Sequence, residues 1–289
     1  MHNTQHTMSC ETDPHGELPP EVSPPPPEVP PPPPEVPPHK VLPYVAHKLA
    51  KACRDGDLAR MQRFAARFGV TPEHVRAYNS HTLRVACAEG RLDIARWLTA
   101  TFRLTAEDAR AKNSAVLLSA CEKGQLDMVK WLVATFGFTV DDLRAQNYNA
   151  FAYACFNGHL ETAQWLAAEF KLTPEDVRSR DGTILQTTCL AQKLTVAAWL
   201  VDTFGLSAVD AAARNNSAMC NACYYGHLDV VKWLVDRFDM VAQYSHSDKV
   251  RMFHVARLGG AGPGSGSYEV ADWLATTFGL TLDDLPCRP

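Results

Sequence analysis

The chain has 289 residues, enough for one large domain or two small ones, and 46% of them are hydrophobic and 21% charged. A formal net charge of −4 excludes a strongly basic protein that binds nucleic acid through its overall charge. No stretch approaches the roughly 18 consecutive apolar residues of a membrane helix, and the first residues contain no apolar segment typical of a secretory signal. We therefore expect a soluble intracellular protein, located in the cytoplasm, that contacts neither membrane nor nucleic acid.

The first 43 residues differ in composition from the rest and hold 15 of the 20 prolines. Residues 19–38 read PPEVSPPPPEVPPPPPEVPP, and proline removes the backbone N–H that helices and sheets need. We expect residues 1–43 to be disordered, with residues 19–38 forming an extended polyproline II segment about 60 Å long, at ~3.1 Å per residue. This segment is interpreted either as a spacer or as the ligand of a proline-binding module in a partner.

The rest of the chain repeats with a period of 34 residues. Six cysteines follow this period, at Cys53, Cys87, Cys121, Cys155, Cys189 and Cys223. Tryptophans follow ten residues after a cysteine, at Trp97, Trp131, Trp165, Trp199 and Trp233. Phenylalanines follow fifteen residues after a cysteine, at Phe68, Phe102, Phe136, Phe170, Phe204 and Phe238. A fixed period of this length is typical of solenoids, in which each unit buries its apolar face against its neighbours.

The pattern within one unit predicts two antiparallel helices. Leu117 and Cys121 belong to an apolar stripe with helical spacing that ends before Gly124. Residues 126–136 carry a second helical stripe, closed by Gly137.

A capping signal then predicts a short third helix. Thr139 is followed three residues later by Asp142, the spacing of a helix N-cap with an acidic partner. The signal recurs at Thr71, Thr105, Thr173 and Thr281, three residues before His74, Asp108, Asp176 and Asp284. No alternating apolar pattern of a β-strand is present, so the sequence predicts an all-α fold.

Residues 222–235, which read ACYYGHLDVVKWLV, resemble the core of an ankyrin repeat, as do residues 154–166 and 120–133. Cysteine replaces the second alanine of the family pattern, and tryptophan replaces a leucine. The capped Thr-x-x-Asp turn takes the place of the family's β-hairpin, so we expect no β fingers. This divergent Cys/Trp form is similar to ankyrin arrays of protists and large DNA viruses.

The resemblance implies an ankyrin-like helical solenoid of about seven repeats. We place the solenoid at residues 44–285, after the disordered segment of residues 1–43 and before a tail of residues 286–289. Two irregularities are visible: Gln192 of unit five stands where other units have glycine, and residues 262–267 form an insertion in unit seven. The glycine-rich stretch of residues 259–266 is interpreted as a flexible surface loop, because it lacks a phosphate-binding motif.

The two residues that follow each repeated cysteine vary most between units, as expected for positions free to recognise a ligand. They are charged or small in units one to three and mostly aromatic or apolar in units four to six. In the ankyrin arrays that this chain resembles, such positions line the concave face. The predicted partner-binding residues are Tyr153, Phe156, Leu190, Tyr224 and Tyr225.

From these residues we predict a non-enzymatic scaffold or adaptor, monomeric and without cofactor, that binds a protein or peptide on the concave face. The alternative is a metal- or redox-responsive regulator that uses Cys220, Cys223 and His227, whose C-x-x-C-x-x-x-H spacing offers three metal ligands. A structural zinc site needs four. A third hypothesis is a structural spacer with no specific partner. The six repeated cysteines are interpreted as small buried hydrophobic residues.

Overall fold

A computed structural model of the chain describes residues 38–178, 183–259 and 266–284. Every regular element in these ranges is a helix and none is a strand, which confirms the all-α fold class. None of the helices in these ranges combines the length and hydropathy that a membrane span requires. Residues 1–37 lie outside the described ranges, so the polyproline II segment and its recognition by a proline-binding module stay predictions.

The helices pair into units that we number one to seven along the chain. In order, they are α1 (Pro38–Asp55), α2 (Leu58–Phe68), α3 (Pro72–Ala88), α4 (Leu92–Phe102), α5 (Ala106–Glu122), α6 (Leu126–Phe136), α7 (Val140–Ala145), α8 (Asn149–Asn157), α9 (Leu160–Glu169), α10 (Pro174–Arg178), α11 (Thr183–Leu190), α12 (Leu194–Phe204), α13 (Ala208–Ala211), α14 (Ala213–Tyr225), α15 (Leu228–Phe238), α16 (Met240–Gln243), α17 (His246–Leu258) and α18 (Gly266–Phe278). A 3-10 turn at Leu282–Asp284 follows. The second helices of units one to seven are α2, α4, α6, α9, α12, α15 and α18.

The first helix spans the boundary that the sequence places at residue 43, and this boundary stays a prediction. Helix α1 starts at Pro38 and contains Pro43. Within unit seven, residues 260–265 of the glycine-rich loop lie outside the described ranges, so its flexibility stays a prediction. Arg257, which occupies the cysteine position of this unit, lies 5.2 Å from the ring centre of Tyr268.

The second helices other than α9 end directly before a residue in the left-handed conformation. Gly137 has φ of 62° and donates its N–H to the carbonyl of Val133. Glycine adopts this conformation without the steric cost that a Cβ brings. The same conformation at Arg103 and Asp239, with φ of 48° and 47°, shows that the helix ends there without glycine.

The predicted capping signal forms a reciprocal pair of hydrogen bonds at the start of each third helix that carries it. In unit three, the Thr139 hydroxyl accepts the N–H of Asp142, and the Asp142 carboxylate accepts the N–H of Thr139 at 2.8 Å. Ser207 and Asp210 form the same box in unit five, where serine takes the place of the predicted threonine.

The core runs along the stacked units. All six repeated cysteines are fully buried, in agreement with their interpretation as small hydrophobic residues. Burial raises the pKa of Cys53 to about 12 and that of Cys189 to about 12. The periodic tryptophans and phenylalanines meet edge to face within a unit, as in the pair of Trp131 and Phe136, whose ring centres are 5.8 Å apart.

Successive units are joined by short left-handed turns, which interrupt helices α5 and α14. In α5, residues Lys112, Asn113 and Ser114 have φ between 49° and 57°. One period of 34 residues separates Asn113 from Asn147, which has φ of 52°, and two further periods lead to Asn215, with φ of 60°. Asparagine tolerates this conformation better than most residues. The third helix can therefore turn into the next unit without a β-hairpin.

In units one to four, an arginine of the third helix is paired with the capping aspartate of the next unit; in units one and two this third helix is the first part of α3 and of α5. We call this series the Arg–Asp ladder; its nitrogen–oxygen distances are 2.7 Å for Arg76–Asp108, 2.7 Å for Arg110–Asp142, 3.4 Å for Arg144–Asp176 and 2.8 Å for Arg178–Asp210. Arg110 also donates to the carbonyls of Phe136 and Gly137, at 3.2 and 2.7 Å. Its hydrogen bond lowers the pKa of Asp142, with further help from the Thr139 N–H. The ladder thus joins units one to five, each to the next.

Candidate functional site

The predicted binding residues lie on the first helices of units four to six. We call Tyr153, Phe156, Leu190, Tyr224 and Tyr225 the first-helix row. Four of them are exposed, at 45% for Tyr153, 39% for Phe156, 47% for Tyr224 and 59% for Tyr225. Leu190 is partly buried. Large apolar side chains are costly in contact with water, and contiguous exposed ones are typical of interaction surfaces.

Unit four contributes a shallow pocket to this row. Tyr153 and Phe156 lie three residues apart on α8, and therefore on one face of the helix. Together with Asn149 and Ala152 of the same helix and Thr187 of α11, they line a pocket of about 250 Å³. The pocket can accept an apolar side chain and offers amide and hydroxyl groups at its edge.

Unit six holds its two tyrosines in a fixed arrangement. The rings of Tyr224 and Tyr225 meet edge to face, with centres 5.1 Å apart and an angle of 86° between their planes. Tyr225 also stacks on His227, with centres 6.0 Å apart and 21° between planes. Because α14 ends at Gly226 in the left-handed conformation, His227 lies directly beside the tyrosines. Aromatic groups ordered before binding lose less conformational entropy when a ligand arrives.

Leu258 extends the row and was not among the predicted residues. Its side chain is 58% exposed. It lies three periods of 34 residues after Phe156, so the repeat itself contains the signal that identifies it. The cysteine that marks this position in other units is Arg257 in unit seven, which obscured the correspondence.

Units one to three carry charged groups at the equivalent positions, as the sequence predicts. Arg54, Asp55, Glu89, Glu122 and Lys123 are all exposed. Two weak ion pairs form among and beside them, with Asp55 lying 3.3 Å from Arg60 and Glu122 3.7 Å from Lys123. The first helices therefore present charged groups in the first half of the array and aromatic groups in the second.

The geometry gives no support to the metal- or redox-responsive alternative. Cys223 is buried in the core, while Cys220 is half-buried with its sulfur 3.9 Å from the carbonyl of Asn215. Burial raises the pKa of both thiols, which disfavours the thiolate that metal binding and redox chemistry require. Within the described part of the chain, no three histidine, cysteine, aspartate or glutamate side chains are placed to hold a metal ion.

Comparison with known proteins identifies three of the repeats. The family model for ankyrin repeats matches residues 83–176, in three copies. No curated protein matches the chain. The matched range covers units two to four, from the first helix of unit two to the third helix of unit four.

Proposed function

Since residues 83–176 are ankyrin repeats, we propose that this protein binds a protein or peptide ligand on the first-helix row. Ankyrin repeats are generally protein–protein interaction modules and typically have no catalytic function. The observation that carries the proposal is the exposure of Phe156, Tyr224 and Tyr225 at positions that are charged or small in the first three units, with Tyr153 exposed beside Phe156. Tyrosine and other aromatic residues are typical anchors of protein interfaces.

The chemistry of the row specifies the kind of ligand. An apolar side chain of the ligand fits the pocket between Tyr153, Phe156 and Thr187. The Tyr224 and Tyr225 rings offer a second apolar contact with hydroxyl groups at the edge. A ligand that spans both contacts crosses unit five, where Leu190 lies between them. Binding is an equilibrium without any chemical step.

The test begins with selection of ligands from a displayed peptide library on the full chain. Dissociation constants of the selected peptides are then measured by fluorescence anisotropy for the wild type and for Phe156→Ala/Tyr224→Ala/Tyr225→Ala. Removal of one aromatic anchor worth about 2 kcal/mol weakens binding about thirty-fold, so the triple variant should lose at least that much affinity. Circular dichroism confirms that the variant retains its helices.

The matched control is Glu122→Ala/Lys123→Ala, which changes the equivalent positions of unit three. These side chains are exposed and take part in one weak ion pair with each other. The control should bind the selected peptides as the wild type does. Equal affinity of the triple variant, or enrichment of no peptide at all, contradicts the proposal.

A further inference from the structure

A second series of contacts joins units at the turn between their first and second helices. Arg91 donates to the carbonyl of Arg54 at 3.2 Å, and Gln125 donates to that of Ala88 at 3.4 Å. One period later, His159 bonds the carbonyl of Glu122 at 2.9 Å. We call this series the turn ladder.

The turn ladder depends on glycine. Its side chains pack over glycines of the preceding unit. A Cβ added at Gly56 would lie 2.8 Å from Arg91, and a Cβ added at Gly90 would lie 2.4 Å from Gln125. Those glycines also have positive φ, 69° and 66°. A larger residue there therefore meets both a strained backbone and a neighbouring side chain.

Both ladders are interrupted at the interface between units five and six. Ala212 stands where the Arg–Asp ladder has arginine, and Tyr244 stands where it has aspartate. Gln192 replaces the glycine of the turn and holds the left-handed conformation at φ of 58°. His227, which lies two periods after His159 and one after Lys193, contacts the Gln192 amide at 3.4 Å.

The missing arginine leaves space between the third helices. A pocket of about 250 Å³ lies there, and its lining includes Ala212, Met240 and Tyr244. The contacts that remain across the interface include a hydrogen bond from Gln186 to the carbonyl of Ala213, at 2.9 Å, and an exposed ion pair between Arg237 and Asp202. An exposed ion pair contributes little to stability.

Units six and seven, in contrast, are tightly joined. Arg251 donates to the side-chain oxygen of Asn215 at 2.5 Å, and His246 lies 3.6 Å from Asp284 at the position of the next ladder pair. The backbone of Gly259 packs directly against the backbone of Tyr224. A Cβ added at Gly259 would lie 1.9 Å from the carbonyl oxygen of Tyr224. These two units therefore hold each other more firmly than unit six is held by unit five.

We propose that the solenoid is divided at this interface, so that units six and seven open together as one cooperative block while units one to five stay folded. In a solenoid, stability is the sum of unit terms and nearest-neighbour interface terms, and a weak interface separates cooperative blocks. The division crosses the first-helix row: Tyr153 and Phe156 belong to the first block, and Tyr224 and Tyr225 to the second. The division itself does not depend on any ligand.

Native-state hydrogen exchange of the full chain, followed by mass spectrometry at increasing low urea concentrations, tests this division. Amides of α14, α15, α17 and α18 should exchange through one common opening, about tenfold faster than those of α4. Helices α4 and α15 are a matched pair, because each lies one unit from an end of the array. Fraying of the terminus alone would give a gradual increase from α15 to α18 instead of a common opening.

Two variants should have opposite effects: one should remove the division between units five and six, and the other should create a second division. Ala212→Arg/Tyr244→Asp rebuilds the missing pair and should slow exchange of units six and seven about tenfold, towards the rate of α4. Arg110→Ala removes an intact pair and should create a new division between units two and three, with faster exchange of α4. If the first variant does not fold, the exchange profiles of the wild type and of Arg110→Ala still test the proposed division.

The proposal is overturned if α12 and α15 of the wild type exchange with the same free energy of opening and the same urea dependence. It is also overturned if Arg110→Ala accelerates exchange uniformly along the array. Loss of peptide binding by the first-helix-row variants bears on neither result, so the two proposals fail independently.

Discussion

At the scale of single residues, Asp142 holds three groups in place. Its carboxylate accepts the N–H and the hydroxyl of Thr139, which caps α7, and it accepts both hydrogen bonds of the Arg110 guanidinium. The carboxylate is therefore a helix cap and an inter-unit contact at once. Both roles use the charged carboxylate. Because the Arg110 hydrogen bond stabilises this charged form, it lowers the pKa of Asp142.

The lowered pKa predicts how stability depends on pH. A carboxyl group whose pKa is lower in the folded than in the unfolded state stabilises the fold above the unfolded value, about 3.9, and loses this contribution as pH falls through the folded value. The difference in free energy of unfolding between wild type and Asp142→Asn should thus be full at pH 7 and shrink below about pH 4. Urea unfolding across this range measures it.

Asp127→Asn serves as the control, because Asp127 is exposed on α6. It should leave the pH dependence of the wild type unchanged. A constant difference between the wild type and Asp142→Asn from pH 7 to pH 3 would show that the charge of Asp142 does not stabilise the fold.

At the scale of elements, the turns decide where helices end and how closely units approach. Gly124 and Gly137 both adopt the left-handed conformation, at φ of 67° and 62°. They differ in their surroundings, since a Cβ at Gly124 would lie 2.4 Å from the His159 ring whereas none of the atoms around Gly137 comes within 4 Å. Gly137 is therefore required only for its backbone conformation, whereas Gly124 also leaves space for the contact of His159 with the preceding unit.

This pair separates two costs of substitution. Gly137→Ala should lower the free energy of unfolding by about 1–2 kcal/mol, the cost of left-handed backbone for a residue with a Cβ. Gly124→Ala should lower it by about 1 kcal/mol more, because His159 must move and its hydrogen bond to the Glu122 carbonyl is lost. Urea unfolding measures both, and equal losses would show that the close approach to His159 has no energetic importance.

At the scale of the whole molecule, the buried cysteines report on which units open. Cys87 and Cys223 are both fully buried, and each lies one unit from an end of the array. The thiolate is the reactive species, and burial raises the pKa of both thiols, so labelling requires the unit to open.

If units six and seven form a separate block, Cys223 should react with a thiol reagent faster than Cys87 under native conditions. Mass spectrometry after timed alkylation and digestion measures each site. Cys220, which is half-buried, should react before either. Equal rates for Cys87 and Cys223 would argue against a division between units five and six.

Much of this architecture could be predicted from the sequence, because stacking imposes the same requirements on every unit. The period of Cys121, Trp131 and Phe136 indicated the two helices, and the Thr139–Asp142 spacing indicated the third. The ankyrin resemblance agrees with the family match over residues 83–176. The same period also contains the Arg–Asp ladder and Leu258, which lie outside the cysteine, tryptophan and phenylalanine series that mark the units.

By itself the sequence determined the all-α repeat, its caps and the location of the aromatic row, because these follow from local periodicity and helix-end chemistry. Only the tertiary structure decided which side chains meet between units. The pairing of Arg110 with Asp142, the pocket between Phe156 and Thr187 and the close approach of Gly259 to Tyr224 all join residues of different units. Such contacts depend on the distance and rotation between neighbouring units, which no pattern within a single unit specifies.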